Sequence, residues 1–362
     1  MSQTDLTPEL AETLEVRRSV PKWMIAAGIA AYLATALGGW WVLLQIAPTH
    51  LELSLFGHTV DTDSVHEHIN NTAMICVLLP LMLGIESLVV GWERSSLNQL
   101  IANETPSLKT DLACFVLGQG YVLDIVGRVL SVGFAIASGF LINQGIAAVT
   151  GLHLSVPDWP TPVLVGLFFF VYTFFDYWTH RVDHTKFLWP LHRYHHSAEE
   201  FGVVTSIRQH PAAFTGLFVV NLPMAIIGAP TAVMIYVNVL VVAIGFLIHS
   251  KIQSEWGWFG RWVIQSPTHH RAHHKLSMET PTGHFAMAPI WDRLFGTWHE
   301  VEDPAMPIGV DTPYRHGFFI VGDMLRDYLH FWGGLVGLKN DGPDSELVGQ
   351  VRRRLRRPAV EA

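Results

Sequence analysis

The chain has 362 residues, half of them apolar and 15% charged, with a mean hydropathy of +0.30. That balance is too apolar for a soluble domain of this size and points to a membrane, while a net charge of −8 argues against nucleic acid as a partner. Two cysteines, Cys76 and Cys114, are too few for a disulfide framework or a thiolate site, so any metal must use other ligands.

Residues 1–16 are polar and lack the basic-then-apolar order of a cleaved signal peptide. Residues 1–22 therefore read as a cytoplasmic tail. Apolar segments follow at about 23–47, 72–91, 112–150 and 163–179, then a pair at about 212–228 and 231–248 broken by Gly228-Ala229-Pro230. A crossing needs roughly 20 apolar residues, which the first two meet easily. The 112–150 stretch is long enough for a span plus a re-entrant piece, and Asp124 and Arg128 within it stand at the i, i+4 spacing that lets charges pair.

Lys and Arg counts in the loops set the orientation. Arg17, Arg18 and Lys22 precede the first segment, whereas 48–71, 151–162 and 228–230 carry neither residue and read as the outer side. The remaining loops hold Arg94, Lys109, Arg181, Lys186, Arg193, Arg208, Lys251, Arg261, Arg271, Lys275 and Arg293. If 112–150 crosses an odd number of times, regions 180–210 and 249–299 share the cytoplasmic face. The expected fold is all-α: a polytopic helical membrane protein with a histidine-rich dimetal cap on that face. Its parts are a transmembrane region at 23–160, a metal domain at 161–300 and a cytoplasmic tail at 301–362. Periodicity fades after about 300, and Arg352, Arg353, Arg354, Arg356 and Arg357 make a basic end suited to anionic headgroups or to solvent.

Of the 20 histidines, 13 fall between His180 and His299. His180 and His184 form H-x-x-x-H on a helix continuing from the fourth apolar segment. His192, His195 and His196 form H-x-x-H-H, and His270, His273 and His274 repeat it. Spacings of three and four put imidazoles on one helix face. Any one cluster is weak evidence, since chance and surface histidines produce such pairs. A single zinc is satisfied by a tetrahedral ligand set, so eight imidazoles imply two metals. Imidazole alone does not choose among iron, copper, nickel and zinc.

The pattern H-x3-H, H-x2-H-H, H-x2-H-H resembles that of the fatty acid hydroxylase/sterol desaturase superfamily over roughly 165–300. HHSAEEF with Thr205, Arg208 and His210-Pro211, FLIHSKI around His249, SPTHHRAHH and IWDRLFGTW extend the resemblance. Gly202, His284 and Phe285 depart from it, the latter two standing where many relatives have Asn-Tyr-Gly. The resemblance implies that His180, His184, His192, His195, His196, His270, His273 and His274 are ligands of two ferrous irons, with His249 a ninth. It also implies O2 as co-substrate, hydroxylation of an unactivated C–H bond of a fatty acyl, sterol or related lipid, or desaturation by the same centre. No iron–sulfur spacing or dinucleotide loop is present in the sequence, so a separate cytochrome, ferredoxin or flavin reductase must supply electrons. Asp176, one turn before His180, and Asp292 are the carboxylates expected to orient imidazoles. Glu199 and Glu200 are further possibilities, and Arg208 and Arg293 are candidates to hold a carboxylate or headgroup.

His66, His68, His210, His269 and His330 are assigned to no metal. A membrane metal transporter is the rival from another class, but transport ligands belong near the midplane of spans, not at their ends among Arg and Lys. A scaffold with decayed chemistry is disfavoured because no core ligand is missing. Without an endoplasmic-reticulum retrieval signal in the sequence, a bacterial inner membrane is the expected location.

Overall fold

A computed structural model describes residues 20–335, apart from 56–57, 63–64, 103–104, 120–133, 157, 212–213, 277–282, 302, 304–305, 312 and 318–319. The basic end at 352–357 and the pair Asp124 and Arg128 lie outside the described residues. The chain forms two compact units, Met1–Asn103 and Glu104–Ala362.

The first unit is a helical hairpin. Helix α1 (Lys22–Ile46) packs on α2 (Val65–Val90), with Tyr32 donating to the Cys76 carbonyl at 3.1 Å and the Trp40 indole to Asn70 at 2.9 Å. The loop between them holds a two-stranded antiparallel hairpin of β1 (Leu51–Leu55) and β2 (His58–Thr62), in register from Leu51↔Thr62 to Leu55↔His58. Beyond α2 the chain turns at Gly91 (φ 83°) into α3 (Ser96–Ala102). Buried Glu86 clamps that turn, accepting from the Ser96 amide at 2.6 Å and its hydroxyl at 2.8 Å.

The second unit begins with α4 (Pro106–Gln119) and α5 (Phe134–Thr150), followed by α6 (Thr161–Asp183) and α7 (Trp189–His196). Then come α8 (Phe214–Ile227) and α9 (Thr231–Ile248). Buried Leu164, Phe168 and Tyr172 of α6 interlock with Val220 and Met224 of α8 and Val233, Met234 and Val237 of α9. Between helices set in lipid such contacts act through van der Waals packing more than through transfer out of water. Gly228, at φ 82°, makes the expected break between α8 and α9. A Cβ on Gly139 of α5 would lie 2.5 Å from the Ala225 Cβ of α8, so the close approach of those helices requires glycine.

Among the described residues three helices are long and apolar enough to cross a membrane: Lys22–Ile46, Ala73–Val90 and Thr161–Asp183. At 14 and 18 residues, α8 and α9 measure about 21 and 27 Å at ~1.5 Å per residue, short of a hydrocarbon layer of about 30 Å. They pack against α6 as its companions. The remaining helices are short and build a cap: α10 (Gly257–Trp262), α11 (Pro267–His273), α12 (Ile290–Leu294) and a longer α13 (Ile320–Leu335). Helix α13 stands where sequence periodicity fades. The multi-pass, all-α architecture agrees with the sequence.

Candidate metal centre

The nine histidines singled out by spacing and resemblance converge in two groups. His180, His184, His192, His196 and His273 form one, and His195, His249, His270 and His274 the other, with one nitrogen from each residue within 4.8 Å of the rest of its group. All are buried except half-buried His180. The stacked rings of His196 and His274, 4.2 Å apart, join the groups.

Helix ends place these side chains. His184, His249 and His274 each cap the C-terminus of a helix, α6, α9 and α11, with φ between −82° and −88° and ψ near zero. This bridge region is sparsely populated and common at active sites. The H-x-x-H-H sets do not each face one site, as the one-face reading expects. His192 and His196 of α7 enter the first group while His195 enters the second; His270 and His274 enter the second while His273 enters the first. The reason is helical pitch: at about 100° per residue, positions i and i+4 nearly eclipse, whereas i+3 and i+4 are a quarter-turn apart. Each helix therefore sits between the groups and serves both.

Lone-pair geometry tests whether the sites fit metal. His180 Nδ1 donates to the Phe285 carbonyl at 2.7 Å and His273 Nδ1 to the Gly283 carbonyl at 2.8 Å, leaving two unprotonated Nε2 atoms 3.0 Å apart. In the second group His249 Nδ1 donates to the Gly245 carbonyl at 2.7 Å and His270 Nδ1 to Gln265 Oε1 at 2.8 Å, and again the two Nε2 atoms face each other at 3.0 Å. His195 Nδ1 donates to the Arg208 carbonyl at 2.9 Å. Facing lone pairs repel unless a cation lies between them. In addition, both nitrogens of buried His184 and His274 have no hydrogen-bond partner, a state that burial penalises unless a metal is bound. Burial holds the imidazoles of His184, His192, His195, His196, His270, His273 and His274 well below the usual histidine range, and that of His249 down to about 4. Neutral imidazole is the form that ligates.

Carbonyls, more than carboxylates, orient these rings. Asp176 hydrogen-bonds to none of the nine. Asp292 acts one link further out: buried, it accepts from the Phe285 and Ala286 amides at 2.9 Å each and from the Thr297 hydroxyl at 2.7 Å, fixing the strap whose Phe285 carbonyl holds His180. Burial pushes its carboxyl up to about 6 although those donors pull it down. His284, at φ 59°, lets the carbonyls on either side of it reach His273 and His180. Histidine is among the non-glycine residues that adopt this left-handed region most readily. Spacing did not flag the strap carbonyls, Gln265 or Trp189, whose indole lies 5.0 Å from the His184 ring and 5.2 Å from that of His196. Asp183, inside H-R-V-D-H, was open to sequence reading; its Oδ2 is 3.9 Å from His192 Nδ1.

Buried ion pairs hold the surrounding shell. Arg208, fully buried, binds Asp111 at 2.5 Å, the Ser107 carbonyl at 2.6 Å and Ser197 at 3.1 Å, so the guanidinium fixes the backbone that receives His195. Arg193, between His192 and His195 on α7, binds Asp327 of α13 at 2.8 Å. Arg293 instead packs between Trp262 and Trp298 and donates to the Arg261 carbonyl. Glu200 accepts from Thr105, and Glu199 lies near His316. His210 Nε2 meets the Met324 carbonyl at 2.8 Å. Glu255, His269 and Glu300 form a third cluster, but Arg261 already sits on both carboxylates, at 2.7 and 3.3 Å, and supplies the positive charge there.

Residues 165–297 match the family described as fatty acid hydroxylase. The chain is 32% identical over 166 residues to an alkylglycerol monooxygenase of Xenopus tropicalis, covering 43% of this chain and 36% of that protein. It is 30% identical over 210 residues to an ornithine lipid hydroxylase of Rhizobium tropici, covering 54% and 62%. A very-long-chain aldehyde decarbonylase of Oryza sativa subsp. indica is 31% identical over 155 residues, covering 40% and 55%. The chain thus spans less than two thirds of the length of these relatives. No solved structure matches it. The motifs, the two converging imidazole groups and the match to the fatty acid hydroxylase family occupy the same stretch, residues 165–297.

Proposed function

We propose that this protein is a membrane-bound, O2-dependent di-iron oxidoreductase that hydroxylates an unactivated C–H bond of a lipid. The observation that carries the reading is the pairing of unprotonated Nε2 atoms at 3.0 Å in each group, which calls for a cation in both. The relatives named as acting on alkylglycerol and ornithine lipid support a lipid substrate. Two irons held by the five- and four-histidine groups would supply the redox chemistry that dioxygen needs to attack such a bond. Hydroxylation puts one oxygen atom into the C–H bond and reduces the other to water, so electrons and protons must arrive from a donor: a cytochrome, ferredoxin or flavin reductase.

The chain's own residues prepare the site. Strap carbonyls and Gln265 pin the imidazole tautomers, Arg208 and Arg193 hold α7 from two sides, and burial keeps water out. In this reading 1–22 and 301–362 are cytoplasmic, 23–160 is transmembrane, and 161–300 is the di-iron domain at the cytoplasmic face of a bacterial inner membrane. Desaturation by the same centre is the neighbouring outcome. Protein purified from iron-replete cells should hold two metals per chain, and lipid extracts from expressing cells under 18O2 should contain a labelled alcohol. An unlabelled alkene would move the reading to desaturase; an intact chain with fewer than two metals would overturn it.

A further inference from the structure

We infer that α13 lies in the plane of the bilayer surface, with its outward face in lipid and its inward face gripping the histidine-bearing α7. Its polarity is inside out. The outward residues Val321, Leu325, Tyr328, Leu329, Trp332 and Leu335 are all apolar or aromatic and exposed, Val321 by 70% and Leu329 by 59%. The ionisable residues instead turn toward the body of the unit. Asp323 receives the Arg315 and His316 amides, Asp327 binds Arg193 and the Tyr314 hydroxyl, Arg326 lies over the Tyr314 ring and donates to the Pro313 carbonyl, and His330 meets Arg193. A helix on a water-exposed cap would show the reverse arrangement. An unbroken apolar stripe of this kind marks an interaction surface.

The occupant is lipid, for three reasons. The stripe is continuous with a membrane-facing surface: Phe331 of α13 packs at 5.3 Å on exposed Phe187, which follows the exposed Trp178 and Val182 at the end of the candidate span α6. Trp332 and Tyr328 are the ring types that settle at the headgroup boundary. With 16 residues, about 24 Å, and two buried carboxylates on its inner side, α13 can neither cross nor be surrounded by lipid, which leaves an interfacial placement about 5–10 Å into the headgroup boundary. The sequence after it carries Arg352, Arg353, Arg354, Arg356 and Arg357, a charge suited to anionic headgroups. The consequence concerns α7. Because Arg193 binds Asp327 and His210 binds the Met324 carbonyl, seating α13 on the bilayer sets the height of His192, His195 and His196 above the lipid.

Full-length Cys76→Ser protein carrying Leu325→Cys or Leu329→Cys, labelled with bimane and reconstituted in vesicles of phosphatidylcholine and phosphatidylglycerol, tests this. A label at Glu300→Cys, a solvent-exposed position, is the aqueous reference, and two bound metals certify the fold of each variant. Shallow doxyl-labelled lipid should quench both α13 positions several-fold more strongly than aqueous iodide, with the order reversed at position 300. Quenching of the α13 positions by iodide would overturn the proposal, as would shielding from both quenchers, which would mean that a second copy or another protein covers the stripe.

Discussion

The two imidazole groups are near mirror images in construction and differ in what completes them. Each takes an i, i+4 pair from one H-x-x-H-H helix and a single crossing histidine from the other, and each contains one imidazole, His184 or His274, with no hydrogen-bond partner. The first group is then filled by both histidines of H-x-x-x-H at the end of α6, the second by His249 alone at the end of α9. Their supports differ too. The first hangs on a strap held by Asp292; the second hangs on Gln265, on the Arg208 carbonyl and on the last turn of α9 itself. The exchange of histidines between the two helices binds the groups into one unit, while the separate supports make them separately breakable.

The largest effect should come from the unpartnered histidines. His184→Ala should cost the five-histidine group its metal, and His274→Ala the four-histidine group, so elemental analysis should find about one metal per chain in each case, with activity at background. On stepwise chelation of the intact protein, the four-histidine group should empty first because fewer donors hold its metal. If either variant lost both metals, the stacked His196–His274 contact would couple the groups too tightly for them to be counted as two sites.

A smaller loss should follow from the supports. Asp292→Ala frees the strap and should act on the first group, whereas Gln265→Ala releases His270 and should act on the second; removing such an orienting partner typically costs about 10–100-fold in affinity or activity. Asp292→Ala also strands two buried amides, at about 1–3 kcal/mol for each unsatisfied donor, so its melting temperature should fall while that of Asp292→Asn falls less. Metal titrations of both variants, group by group, show whether the supports are as separate as the hydrogen bonds draw them.

Acid should act on both groups together. Burial depresses these imidazoles in the folded state, His249 to about 4, against an unfolded value near 6.5, so the unfolded chain takes up more protons. The stability contributed by neutral histidine is therefore fully present above about pH 6.5 and is lost as pH falls toward 4. Metal-free protein should melt markedly lower at about pH 5.5 than at about pH 7.5, with a slope of several protons; a slope below one proton would mean that the groups do not titrate as buried neutral imidazoles.

The clustered histidines were legible because they repeat at helical spacing, and the first two apolar segments because their runs are long. What stayed hidden was whatever depends on backbone carbonyls or on pairing across long sequence distances. Phe285 and Gly283 orient imidazoles through peptide oxygens, which every residue has. Asp111 and Arg208 lie 97 residues apart, and Arg193 and Asp327 134 apart, so no local pattern pairs them. Helix α13 escaped for a different reason: it lies where the sequence was read as losing its periodicity, and its polar face, carrying Asp323 and Asp327, is the packed one while its apolar face is exposed.

The smallest effect should come from His330, which sequence reading set aside as a residue with no metal and which the structure places against Arg193. Arg193 keeps two bonds to Asp327 when the imidazole is removed, and Asp327 keeps Arg193 and Tyr314 as partners. The buried ion pair therefore survives, and His330→Ala should cost only about 0.5–1.5 kcal/mol, the net worth of one hydrogen bond, with both metals retained. Asp327→Ala makes the contrast, since it removes the buried carboxylate that pairs with the guanidinium, at a cost of about 3–5 kcal/mol, and loosens α7, which serves both groups. Denaturant titration and metal content of the two variants separate a support that acts through α7 from one that acts through the ligands: should His330→Ala lose metal while Asp327→Ala keeps it, α13 would be touching the centre directly and not through Arg193.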